Sequence, residues 1–138
     1  MNKEEQLFWL QQFTSELLDN LDAIQKGQQH RYASEALSYI QKNYSDPNLS
    51  LSMLAEHVGS TPSYLSKLIR QGTSKTFNEH LCEVRISEAK KLLATSSMLI
   101  KEISDKTGFL SVQNFIRVFK RYVGITPGQY REIRHSDK

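Results

Sequence analysis

The sequence predicts an all-α fold: two helix-turn-helix units joined by a long linker helix, with an extra helix at the N-terminus. Three observations predict it. Apolar residues recur at spacings of three and four in every periodic segment, and no stretch sustains the alternation of a strand. Two segments repeat one plan, in which a short helix is followed by a glycine turn and a second, basic helix. Helix stops and starts fall between the periodic segments, at Asp46-Pro47, Gly59, Thr61-Pro62 and Gly108.

In chain order, residues from about 4 to 25 place Leu7, Leu10, Leu17, Leu21 and Ile24 on one seam, with Thr14 at its one polar break. Roughly three heptads is short for a stable coiled coil. Residues 26–29 read as a linker. A helix from about 32 to 44 buries Ala33, Ala36, Leu37 and Ile40, and Asp46-Pro47 stops it. The first repeated pair, LSLSMLAEHVGSTPSYLSKLIRQ, holds Leu51, Leu54, Ala55 and Val58 on a helix near 51–58, then turns at Gly59. Thr61 caps the next helix, near 62–71, and Pro62 at its first position gives up no needed donor. A continuous helix near 76–95, KTFNEHLCEVRISEAKKLLA, suits Phe77, Leu81, Val84, Ala89 and Leu92 for burial. The second pair, MLIKEISDKTGFLSVQNFIRVFKR, has helices near 99–107 and 111–122, and a last helix follows near 127–134. Ile100, Ile103 and Thr107 face inward in it, and glycine suits the bend at Gly108 because it tolerates positive φ. Phe115, Val118, Phe119 and Tyr122 form one apolar face of the helix near 111–122, and Phe109, Phe115, Phe119 and Tyr122 belong to the core.

Composition places the chain among ordinary soluble globular domains. Its 138 residues are 38% hydrophobic and 24% charged, enough for one domain with a core and an appendage. The net charge of +3 is unevenly spread. Residues 1–29 hold two lysines against five carboxylates, giving −3, so the remaining residues carry +6. A basic body behind an acidic leader favours nucleic acid as partner. Cys82 is the single cysteine, which excludes an internal disulfide and favours a reducing compartment. With neither a membrane-length apolar run nor a signal-peptide pattern, a cytoplasmic location is expected, though a longer parent protein could be membrane-anchored.

Catalysis finds little support. His57, His80 and Cys82 lack metal-ligand spacing, and neither a nucleophile elbow nor a phosphate-binding glycine loop is present. Neither a metal nor a cofactor is expected. Glu79, Glu83 and Glu88 read as solvated charge along one helix, with Arg85 and Glu88 spaced to pair.

Several stretches together carry a family likeness: LAEHVG (54–59), YLSKLIR (64–70), RISEAKKLL (85–93), IKEISDKTGF (100–109) and NFIRVFKRYVGITPGQYR (114–131). Through them the chain from about 31 to 134 resembles the DNA-binding domain of the AraC/XylS family of bacterial transcription regulators. The resemblance implies sequence-specific binding of double-stranded promoter DNA, transcription activation and contact with RNA polymerase. Two features depart from the family pattern. LIR at 68–70 stands where members often carry an aromatic before a lysine, and Leu110 with Val112 stand where polar residues are usual. The linker helix spans roughly 30 Å, close to the ~34 Å between successive major-groove faces. One monomer could therefore seat both second helices on the same face of a duplex.

With Leu65, Leu68 and Ile69 buried, the opposite face of the first recognition helix holds Ser63, Lys67 and Arg70, flanked by Ser66 and Gln71. Similar positions in the family touch bases early in this helix and phosphates late. The resemblance thus implies base contacts from Ser63, Ser66 and Lys67, with Arg70 and Lys75 on phosphates. In the second recognition helix Gln113 suits adenine, Arg117 suits guanine, and Asn114 serves base or backbone. Lys120 and Arg121 are phosphate contacts, which position the protein without reading sequence.

Domain boundaries follow: residues 1–29 as a helical connector from a longer regulator, and 30–138 as the DNA-binding domain. The first unit covers about 51–71, the linker helix about 76–95 and the second unit about 99–122. Homodimerisation through the N-terminal helix or a sensor region of that longer regulator is expected, and this fragment has no room for a small-molecule ligand. An all-helical interaction module for an acidic partner is the alternative function, and a DNA-acting enzyme fragment a third.

Overall fold

The computed structural model describes residues 3–136, with the side chains at 9 and 13–25 outside the described set. Among the described residues seven helices follow one another, α1 (Lys3–Asn43), α2 (Leu51–Val58), α3 (Pro62–Thr73), α4 (Phe77–Thr95), α5 (Ile100–Lys106), α6 (Val112–Val123) and α7 (Pro127–Ser136). Among the described residues there is no strand, so the expected all-α class stands.

Residues 26–29 are not a linker; α1 runs through them. One glycine in a helix costs only about 1 kcal/mol relative to alanine. Gly27 is flanked by Lys26, Gln28 and Gln29, all of good helix propensity, so the helix continues. Of the predicted N-terminal seam, Leu7 and Leu10 are exposed. The side chains of Thr14, Leu17, Leu21 and Ile24 lie outside the described set.

Side-chain caps set where helices begin. The hydroxyls of Ser50, Thr61, Thr76 and Ser111 accept from the backbone N–H groups of Met53, Tyr64, Glu79 and Asn114, satisfying donors a helix start leaves unpaired. At α7 the exchange is reciprocal: Thr126 Oγ1 accepts from Gln129 N at 3.2 Å, and Gln129 Oε1 accepts from Thr126 N at 3.0 Å.

Two cores result. The first gathers Ala36 and Ile40 of α1, Leu54 and Val58 of α2, Leu65 and Ile69 of α3, and Phe77 and Leu81 of α4. The second gathers Ile86, Ala89 and Leu93 of α4 with Ile103, Phe109, Phe115 and Phe119. Ring centroids 5.0 Å apart for Phe109–Phe115 and 5.8 Å for Phe115–Phe119 continue to Tyr130 of α7 at 5.6 Å. At 100° per residue, Phe77 and Leu81 point roughly 130° around α4 from Ile86, Ala89 and Leu93. The helix therefore changes its buried face as it passes from one core to the other. This explains why Val84 and Leu92, expected to be buried, are half-exposed while Ile86 and Leu93 are covered. Ala33 and Leu37 are likewise only partly covered, because Ala36 and Ile40 face the first core directly.

Tyr122 is a further correction. It is 36% exposed rather than buried, and the Arg121 guanidinium lies over its ring at 5.5 Å. Phe119 already fills the second core at that turn, which leaves the larger, hydroxyl-bearing ring at the surface.

Candidate nucleic-acid interface

In the first unit α1, α2 and α4 pack against α3, and in the second α4, α5 and α7 pack against α6, so the opposite side of each second helix is left for solvent. On α3, Leu65, Leu68 and Ile69 are buried as predicted, and Ser63, Lys67, Arg70 and Gln71 are exposed together. Ser66 is half-buried and lines a cleft formed by residues 49–51 and 76–78, off the outer face. Tyr64 is exposed and accepts from Gln29 Nε2 of α1 at 3.4 Å. Lys75, beyond the end of α3, donates to both carboxylate oxygens of Glu83, at 2.9 and 3.0 Å.

On α6, Gln113, Arg117, Lys120 and Arg121 are exposed on one side, while Phe115 and Phe119 are buried on the other. Asn114 is half-buried, and its Oδ1 accepts from Arg117 Nη2 at 2.9 Å. Two of the predicted base readers are thus bonded to each other, and Asn114 holds the guanidinium that would fork onto a base. Neither α3 nor α6 contains a carboxylate, so each presents uncompensated positive charge along its length. Ile116, at 37% exposure, lies among the polar residues of the α6 outer face. Its steps of three from Gln113 and four to Lys120 place it there, a signal available in the sequence.

Arg85 does not pair with Glu88. Its Nε donates to the Tyr44 carbonyl and its Nη2 to the Asp46 carbonyl, each at 2.8 Å, while Glu88 accepts from Lys91 at 3.0 Å. Burial pulls the Arg85 guanidinium below the usual arginine range, partly offset by Cys82 and Asp46. The same region raises Tyr44, chiefly through burial and then through the Glu88 charge. At the far end of α4, Arg131 donates to the Leu93 and Ser96 carbonyls at 3.3 Å. The His135 ring lies 3.0 Å from the same Leu93 oxygen, so α7 satisfies carbonyls that a helix end leaves open.

His57 packs against the Tyr39 ring at 4.5 Å, and His80 bonds Thr73 Oγ1 at 2.7 Å. Among the described residues, no three of His, Cys, Asp or Glu gather where a metal could be held. Nor is any described helix long and apolar enough to cross a membrane.

A family model described as a helix-turn-helix domain matches residues 54–133. The transcriptional activator AarP of Providencia stuartii is 37% identical over 98 residues, 71% of this chain and 72% of that protein. The uncharacterized regulator YtdP of Bacillus subtilis is 32% identical over 129 residues, 93% of this chain but 17% of its own length. Several relatives are much longer, this chain spanning 17–33% of them. The C-terminal domain of AraT, a response regulator from Geobacillus stearothermophilus, shares the fold with a TM-score of 0.73 and 34% identity, covering 75% of this chain and 85% of that one. The match extends over more than half of the residues and takes in both helix pairs. The chain therefore belongs to the AraC/XylS family of bacterial transcription regulators, as a helix-turn-helix DNA-binding domain.

Proposed function

We propose that the domain binds promoter DNA sequence-specifically by seating α3 and α6 in successive major-groove segments of one duplex face, and that it activates transcription. The observation that carries this reading is the matched outer faces of α3 and α6: exposed, free of carboxylates and rich in donors, each backed by a packed core. Ser63 and Lys67 read bases from α3, and Gln113 and Arg117 from α6, with Asn114 steering Arg117. Ser66, half-buried on the flank of the α3 outer face, completes the proposed base-reading set. Arg70, Lys120 and Arg121 contact phosphates, and Lys75 does so by exchanging Glu83 for the DNA backbone. That surface ion pair is worth only about 0–1 kcal/mol, little against a phosphate contact. Residues 1–29 act as the connector of a longer regulator and 30–138 as its reading head. RNA polymerase contact and homodimerisation belong to the same proposal, as does action in the cytoplasm by binding alone.

Selection of a preferred duplex from a random pool, followed by fluorescence anisotropy, tests this. The selected duplex should bind at least about 10³-fold tighter than a scrambled one at physiological salt. Equal, weak, strongly salt-dependent binding to both would return the basic faces to the alternative role, a module for acidic proteins.

A further inference from the structure

The main helix contacts across the domain run through α4; the helices of the first unit, α1 to α3, are not major packing partners of α5, α6 or α7. With one helix as the main bridge, any further contact between the units bears directly on their relative twist. Among the described residues, a cluster centred on Arg85 crosses the divide. Arg85 lies between Val84, which packs against the first core, and Ile86, the first α4 residue of the second. At 100° per residue its direction falls midway between the two buried faces. From there it reaches back 41 and 39 residues to the carbonyls of Tyr44 and Asp46, in the loop after α1. Its guanidinium also stands 5.8 Å from the centroid of the Phe109 ring, in the turn of the second unit. Beside Phe109, Gly108 has φ +88°, and a Cβ added there would overlap the Tyr44 carbonyl oxygen and come within 2.9 Å of Arg85 Nε. Three segments distant in sequence thus meet on one planar group. Two of the contacts are to backbone carbonyls, which cannot swing away as side chains do.

We propose that Arg85, with Gly108 and Phe109 fitted against it, is a positioning residue that fixes the angle between the two units. It thereby sets the half-site spacing the domain accepts on DNA. The guanidinium is suited to this because its donors are fixed in one plane, whereas a lysine ammonium on a flexible stem cannot hold two carbonyls and a ring face at once. The DNA consequence rests on α3 and α6 both docking; the fixed angle does not.

Two measurements on the full 138-residue chain, wild type and the variants Arg85→Lys and Phe109→Leu, test the two parts separately. In residual dipolar couplings, α2–α3 and α5–α6 of the wild type should fit one alignment tensor. In Arg85→Lys the two units should require different tensors or reduced order in one, while couplings within each unit still fit. Phe109→Leu, which keeps apolar volume but removes the ring face, should shift the tensors in the same direction by less. A single shared tensor in both variants, with only a lower melting temperature, would overturn the proposal and leave Arg85 a stabilising residue. In the second measurement one base pair is inserted between the half-sites of the selected duplex, turning one by about 34° relative to the other. Wild type should lose at least about tenfold in affinity, and Arg85→Lys less than about threefold relative to its own parent duplex. A wild type indifferent to the insertion would count against two-helix docking alone, since the tensors would still report the angle.

Discussion

Gly59 and Gly108 occupy the same place in their units and share a left-handed backbone, at φ 79° and 88°. An added Cβ would meet nothing within 4 Å at Gly59, and would strike the Tyr44 carbonyl and Arg85 at Gly108. The first turn answers only to its own helix pair, whereas the second is also a contact surface for the rest of the domain. Their second helices, α3 and α6, differ in the same sense. The outer face of α3 carries Ser63, Lys67 and Arg70, each without a described partner on that face, whereas α6 carries Arg117 already aimed by Asn114. A repeated motif can therefore hold one geometry while only one copy carries the constraint.

The largest expected effect is on the turns. Gly108→Ala should cost about 2–4 kcal/mol, combining left-handed strain with overpacking against a backbone carbonyl, whereas Gly59→Ala should cost only about 1 kcal/mol. Urea unfolding of both variants measures the difference, and equal losses would mean that the second turn yields freely. The outer faces of α3 and α6 come next. Arg117→Ala should lose about 1–3 kcal/mol on the preferred duplex and relax one base position, and Lys67→Ala should lose less. A base-substitution scan in which the α3 half-site tolerates fewer changes than the α6 half-site would reverse this ranking.

Smaller effects should be the same in both units. Ser111→Ala and Thr61→Ala should each cost about 1 kcal/mol in stability, since both remove one side-chain cap. Arg70→Ala and Lys120→Ala should each lower the slope of log affinity against log salt by about one unit, across all duplexes. A loss confined to one sequence would make either residue a base reader. The smallest expected effect is a pH dependence. Tyr44 is raised above 10.0 in the fold, so its contribution is complete below that value and lost as pH climbs through the higher folded value. Replacing Tyr44 by phenylalanine should flatten the fall of melting temperature in that alkaline range.

Local rules were sufficient for much of this. Caps, turn glycines and apolar spacing located α2 to α7 to within two residues and identified Leu65, Leu68 and Ile69 as the hidden side of α3. The exposed positions of Lys67, Arg70, Gln113 and Arg117 followed from the same periodicity. Arg85 was not legible, because its partners are backbone carbonyls some forty residues away, which no side-chain pattern encodes. The nearby Glu88 offered a local partner that the fold does not use. Tyr122 misled for a related reason: its spacing fits the apolar face, but the room there is taken by Phe119. At 26–29 one glycine suggests a break, but the good helix formers around it keep α1 continuous.

The double membership of α4 bears on how the domain comes apart. Phe77 and Leu81 serve one core and Ile86, Ala89 and Leu93 the other, and between residues 77 and 95 there is no glycine or proline at which the rod could yield. If the second core opened alone, the last turns of α4 would be left as a bare helix about ten residues long, too short to persist in water. Its fraying would then uncover Leu81 and draw the first core with it. Despite their separate interiors the halves should behave as one cooperative folding unit, and amide protons near the middle of α4 should exchange only through global opening.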